Sequence, residues 1–435
     1  MKKNLARLSL PCLLLLIACV TSALAQDVAI PDPGLNAAIR EALQKPTGPL
    51  TQQDLLNLTE LSASQNITNL QGLEFAHNLN FLDLQSNQLA NLSFPAGLTR
   101  LVTLDLSFNP LTNCIFPGGL TNLAGIFIEE SKLSSVTIPA DMAALTGLDL
   151  SGNRLRNINL PSTLDRLDFL DLSGNQFTNL NLPAGLTSLT FFDVWANQLT
   201  SLAIPADMTN LISFRAFFNQ LTNLVVPSGL KNLSTLDLAG NRLSKLSLSP
   251  NFTRLSFLDL SENQLKTFTL PNGLTNLNFL YLNQNQLTNL SLPGGLSHLT
   301  FLQLSDNQLS SLTLPPDMTA LTSLFLDNNP LATLVLSETL ATRLAATLST
   351  LRSRGVSVLT YPLTVQISSP RLTPSGSFNF VLAGPPGVYA IFSSNDLVTW
   401  NELGSATNNL GSTSFADSTA NVSAKKYYRA ASKAP

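Results

Sequence analysis

The side chains best suited to engage something outside the chain gather between positions 171 and 237. Trp195, Phe217 and Phe218 bring three aromatic rings together, and Arg215 stands among Asp171, Asp193 and Asp237. Exposed aromatics beside one guanidinium have the composition of a protein-binding hot spot. The same residues also read as drift, with Arg215 neutralising acidic neighbours, and both readings are open at this point. Catalysis has far less to work with. His77 and His298 are the only histidines and lie far apart, and the cysteines are Cys12, Cys19 and Cys114. No Ser–His–Asp, Cys–His or metal-ligand spacing is present, so we expect no catalytic residue, no metal site and no cofactor.

What must position those side chains is a repeat of 22 residues. Asn recurs at Asn87, Asn109, Asn153, Asn175, Asn197, Asn219, Asn241, Asn263, Asn285, Asn307 and Asn329, and only Ser131 interrupts the series. Each Asn closes the phrase L-x-x-L-x-L-x-x-N-x-L, as in Leu79, Leu82, Leu84, Asn87 and Leu89. A fixed short period of this kind marks a solenoid in which each repeat is one coil. Numbering each coil from its first Leu, columns 4 and 6 alternate with polar residues, the pattern of a short strand with one face buried. Columns 3, 5, 7 and 8 are then left on the open side of the strands. The Asn amide carries donor and acceptor groups, and stacked in register it can satisfy backbone groups of its own coil and of its neighbour. Pro and Gly in the second half of each coil argue for extended chain and turns there, not helix.

These residues resemble the leucine-rich-repeat family, and the likeness extends over twelve successive copies. The resemblance implies a mainly β fold, a right-handed solenoid with a parallel sheet. Helical caps are read from the residues at both ends, and from about Leu363, where the period vanishes, short alternating runs read as a small all-β module. Its phrase V-Y-A-I-F-S-S-N-D-L-V-T-W with the terminal Y-Y-R-A resembles C-terminal modules on secreted proteins of environmental bacteria. Asp32-Pro33 opens a helix with Leu35, Ile39 and Leu43 on one face, and Thr51 with Asp54 opens a second. With the irregular coil around Ile67 to Leu79, this beginning is similar to internalin-like bacterial surface proteins. The Pro-Gly segment departs from that group, and no wall-anchoring motif is visible.

Within this frame column 5 is an acidic row: Asp83, Asp105, Asp149, Asp171, Asp193, Asp237 and Asp259. It reads as repeat consensus solvated by water, or more sharply as a calcium site, which the lack of clustered loop oxygens disfavours. Column 3 carries Phe81, Phe169, Phe191, Phe257, Phe279 and Phe301, either stacked on one another or forming an apolar stripe for a partner. Glu129 and Glu130 beside Ser131 read as a local distortion. Cys114 falls in column 14, among the buried leucines, and is expected to be an inert apolar residue.

The domain plan that follows is a signal peptide over 1–25, an N-terminal cap with irregular coils over 26–78, the twelve-coil array over 79–336, a capping helix and closing strand over 337–362, and a β-sandwich-like module over 363–435. Lys2, Lys3 and Arg7 precede an apolar run and an Ala-Leu-Ala cleavage site before Gln26. Leu16-Ile17-Ala18-Cys19 resembles a lipobox, so a lipoprotein anchored at Cys19 is the alternative to free secretion. The closing helix is expected to begin at Ser337 with Leu340, Leu344, Leu348 and Leu351 on one side. In the module, Trp400 and one of Tyr427 or Tyr428 are expected to fill the core.

The 24 basic and 27 acidic residues give a formal charge of −3. No basic patch is present, which argues against nucleic acid and anionic lipid as partners. The expectation is an exported, monomeric, non-enzymatic binding protein that recognises a protein through its strand face, at Asp171, Asp193, Trp195, Arg215, Phe217, Phe218 and Asp237. A carbohydrate-binding or matrix protein is the alternative. A polysaccharide-acting enzyme is a distant third, because the paired acids lie on an open sheet.

Overall fold

The computed structural model describes residues 26–374, 376–420 and 425–433. The expected signal peptide and Cys19 lie outside the described residues. The chain divides into two compact units, Met1–Leu221 and Thr222–Pro435.

The first unit opens with the helix Pro33–Ala42. The Asp32 carboxylate caps it by accepting from the Leu35 N–H at 2.9 Å, satisfying a group that the first turn leaves without a partner. The same carboxylate accepts from the Thr68 N–H and hydroxyl, tying the helix to the first coil. The helix Gln52–Leu56 follows, with a reciprocal capping box between Thr51 and Asp54. Each coil then contributes one three-residue strand. Phe169–Asp171 pairs in parallel with Phe191–Asp193, which pairs with Ser213–Arg215, all one period out of step. Asp171 and Asp193 therefore stand side by side. The second half of the early coils forms its own parallel ladder, Asn91–Ser93, Asn113–Ile115 and Ser135–Thr137.

The core is built by columns. Leu145, Leu148, Leu150 and Leu155 of one coil are fully buried, and the same columns are buried in its neighbours. Cys114 is buried among them, and burial pushes its thiol up to about 12. Between the Leu layers runs the Asn ladder. The Asn175 amide donates to the carbonyls of Leu172 and Ser173 in its own coil and Leu150 in the preceding one, while its oxygen accepts from the Leu155 N–H. The coil holding Ser131 remains regular, contrary to the distortion expected there. Its strand Gly125–Phe127 pairs in register with both neighbours. The shorter Ser131 hydroxyl still reaches the Asn109 N–H at 3.3 Å.

The second unit continues the strand pattern with Thr235–Asp237, Phe257–Asp259, Phe279–Tyr281, Phe301–Gln303 and Ser323–Phe325. Its closing sheet is Ser311–Thr313, Thr333–Ser337 and Ser357–Tyr361. The single expected capping helix is two, Glu338–Arg343 and Ala345–Ser353, divided at Leu344, and Leu340, Leu344, Leu348 and Leu351 are all buried. Beyond it lie two antiparallel three-stranded sheets. Phe378–Ala383 is central to one and Gly387–Ser394 to the other. Phe380, Leu382, Tyr389, Ile391 and Ala406 form their shared core, with Tyr428 packed against it. Trp400 is not part of that core. It is half-buried on the outside, where its ring takes the Arg429 guanidinium at 4.4 Å, with Phe392 on the same cation at 5.1 Å. A ring with a polar N–H is better accommodated there than in a small apolar interior.

Candidate functional site

The strand face of the first unit owes its geometry to two local rules. The first concerns column 5. At Asp83, Asp105, Asp149 and Asp171 one carboxylate oxygen accepts the backbone N–H two residues on, at 2.8 to 3.1 Å. The acidic row is thus a set of turns that close each strand, with one oxygen committed to the backbone. The second concerns column 8, immediately before the ladder Asn. That residue is left-handed in all twelve coils, from Ser86 at φ 59° to Asn328 at φ 55°. Gly152, Gly174 and Gly240 meet this requirement without strain, whereas Phe108 and Phe218 do so as bulky residues.

On this frame Trp195 and Phe217 stack with centroids 5.1 Å apart and planes within 3°. Phe218 meets Phe217 edge-on at 5.3 Å and is 54% exposed. One step across the face, Phe169 and Phe191 stack at 5.2 Å, and Arg215 lies over the Phe191 ring at 5.2 Å. Arg215 also stands 3.6 Å from the carboxylate of Asp193, which is buried. Beneath the surface rings, Phe192 and Phe214 stack at 5.5 Å inside the core. This inner pair shows in the sequence only as Phe replacing Leu in column 4 of two successive coils.

Six of the seven residues singled out from the sequence therefore share one unit, and Trp195, Phe217 and Phe218 form one aromatic group beside Arg215 and Asp193. Asp237 lies in the second unit, at the end of the strand Thr235–Asp237. The second unit carries an aromatic group of its own. Phe257, Phe279 and Phe301 of column 3 are joined by Tyr281 and Phe325 from column 5, with neighbouring rings 4.9 to 6.3 Å apart. Tyr281 and Phe325 escaped the sequence reading, although both interrupt the Asp column.

Acids crowd the face on the N-terminal side of the aromatic group. Burial raises the Glu129 carboxyl above its usual range, and Asp149, Asp105, Asp171 and Glu130 raise it further. Asp149 is raised chiefly by its own burial. The two histidines bond to backbone, His77 to the Gly97 carbonyl and His298 to that of Thr275. Among the described residues no group of three or more His, Cys, Asp or Glu is arranged to hold a metal ion.

The BspA-type leucine-rich repeat region, in 6 copies, matches residues 149–258 and 243–344. The fold is that of a leucine-rich-repeat solenoid. Among solved structures, the internalin InlF of Listeria monocytogenes is similar over 76% of this chain and 95% of its own, with TM-score 0.55 and 24% identity. YopM of Yersinia pestis is similar over 70% of this chain and 91% of its own, with TM-score 0.49 and 22% identity. The functional domain of InlJ from Listeria monocytogenes has TM-score 0.47 and 17% identity, over 81% of this chain and 94% of that one. At these identities the likeness to InlF is one of fold. A search of curated proteins finds no match. No helix among the described residues is long and apolar enough to cross a membrane.

Proposed function

We propose that this leucine-rich-repeat protein is an exported, non-enzymatic binding protein that recognises a protein partner through the strand face of its first unit. The observation that carries the reading is the outward group Trp195, Phe217 and Phe218 with Arg215 at its side. Aromatic rings with a guanidinium supply large contact area at low entropic cost, and such groups dominate protein interfaces. The ring geometry favours protein over glycan. Sugars stack on an open ring face, whereas Trp195 and Phe217 spend faces on each other and Arg215 covers Phe191. Each of these rings gives up one of its two faces, and the exposed Phe218 beside them suits aliphatic side chains.

The test compares the parent with the double variant Trp195→Ala/Phe217→Ala, both on a glycan array and in selection from a displayed random-peptide library. The parent is expected to enrich peptide clones, and the variant to bind them about tenfold or more weakly, with unchanged far-ultraviolet circular dichroism. Clones that bind both proteins equally would remove the assignment of this site. A glycan signal that disappears in the variant would move the reading to a carbohydrate-binding protein.

A further inference from the structure

The left-handed column contains a second aromatic residue that the hot-spot reading does not use. Phe108 is 51% exposed at φ 58°, and Phe218 is 54% exposed at φ 52°. A bulky residue in that conformation is strained, and such strain persists mostly where something other than stability retains it. The remaining copies place Gly, Ala or polar residues in this column, so these are its two large apolar side chains. Five coils separate them, about 24 Å at the strand spacing of a parallel sheet. Between these two posts the outward columns carry Glu129, Glu130, Asp149, Asp171 and Asp193, with no cation before Arg215.

Resting on the strand-face reading above, we propose that this surface takes one extended segment of a partner protein, seated by apolar side chains on Phe108 at one end and on Trp195, Phe217 and Phe218 at the other, with lysines or arginines between them. The span sets the segment at about seven residues, at roughly 3.3 Å per extended residue. Charge complementarity selects the occupant. An acidic segment would face the crowded carboxylates, whereas a basic one relieves their mutual repulsion and displaces little of the backbone bonding that the inner carboxylate oxygens already make.

The column itself supplies variants that keep the fold. Gly already occupies this left-handed position in three coils, so Phe108→Gly and Phe218→Gly remove a ring while relieving strain. Asp171→Asn keeps an oxygen for the Ser173 N–H and removes only charge. The experiment selects clones from a random 15-residue peptide library on the full chain and measures them individually by fluorescence anisotropy. The expected clones carry a Lys- or Arg-rich centre between apolar residues. Each should weaken about tenfold with Phe108→Gly, more modestly with Asp171→Asn, and further as salt rises from about 0.05 to about 0.5 M. Thermal midpoints of both Gly variants should be no lower than the parent's. Clones that are acidic or uncharged, or indifferent to Phe108→Gly, while still requiring Trp195 and Phe217, would overturn this inference and leave the strand-face reading standing. Clones indifferent to Trp195 and Phe217 as well, or a selection that yields none, would overturn both.

Discussion

The ladder amide is the residue on which the architecture turns. Asn175 is buried, and its partners are all backbone groups at the corner of the coil, on its own repeat and the preceding one. Asn175→Ala would strand the Leu155 N–H and take one donor from each of the Leu150, Leu172 and Ser173 carbonyls, at a cost of about 1–3 kcal/mol. Ser131 is the natural counter-experiment, since its hydroxyl is shorter than the amide it replaces. Ser131→Asn should stabilise the first unit by about 1 kcal/mol, because the surrounding backbone already follows the regular path. Urea midpoints read by circular dichroism should therefore fall for the first variant and rise for the second. A rise for Asn175→Ala would contradict the ladder's role.

At the scale of the element, each three-residue strand is too short to be stable alone and draws its stability from register with its neighbours. Register also brings like charges together. Glu129 is held above its usual range by burial and by four surrounding acids, so the folded chain keeps that proton to a higher pH than the unfolded chain does. The folded state binds the extra proton, so this group's contribution is most favourable below the ordinary Glu range and is lost as pH rises through the folded value. Glu129→Gln should thus stabilise the protein at pH 7, by roughly 0.2–1 kcal/mol, with the gain vanishing below about pH 4. Thermal melts of parent and variant across that range give the comparison, and a gain that persists at low pH would point to a cause other than charge.

At the scale of the molecule, the C-terminal module is attached to the closing sheet through a close backbone approach. Gly411 has φ 89°, and a β-carbon there would lie 3.0 Å from the Tyr361 side chain and 3.3 Å from the Thr360 carbonyl oxygen. Tyr361 is fully buried and donates its hydroxyl to the Leu314 carbonyl at 2.8 Å, which carries the junction into the preceding coil. Gly411→Ala should strain both the turn and the approach, by about 1–2 kcal/mol. Limited proteolysis should then cut between Tyr361 and the first strand of the module faster than in the parent, while the repeat array survives. Equal cleavage rates would show that this contact does not hold the module.

The period, the apolar columns and the ladder Asn were legible without coordinates because a solenoid turns distance along the chain into distance in space. Residues 22 apart become neighbours by repetition, so Asp171 beside Asp193 and Trp195 beside Phe217 follow from counting. The caps at Asp32 and Thr51 were legible for a related reason, since a helix start is local chemistry. What repetition does not carry, only the folded chain decided. Whether Arg215 meets a ring or a carboxylate depends on the rotamer it adopts, and here it meets both. That the column before each Asn is left-handed is invisible in residue types as varied as Ser, Phe and Gln. That Trp400 stays outside the module core, against Arg429, was not legible either, because the packing of two small sheets has no period to read.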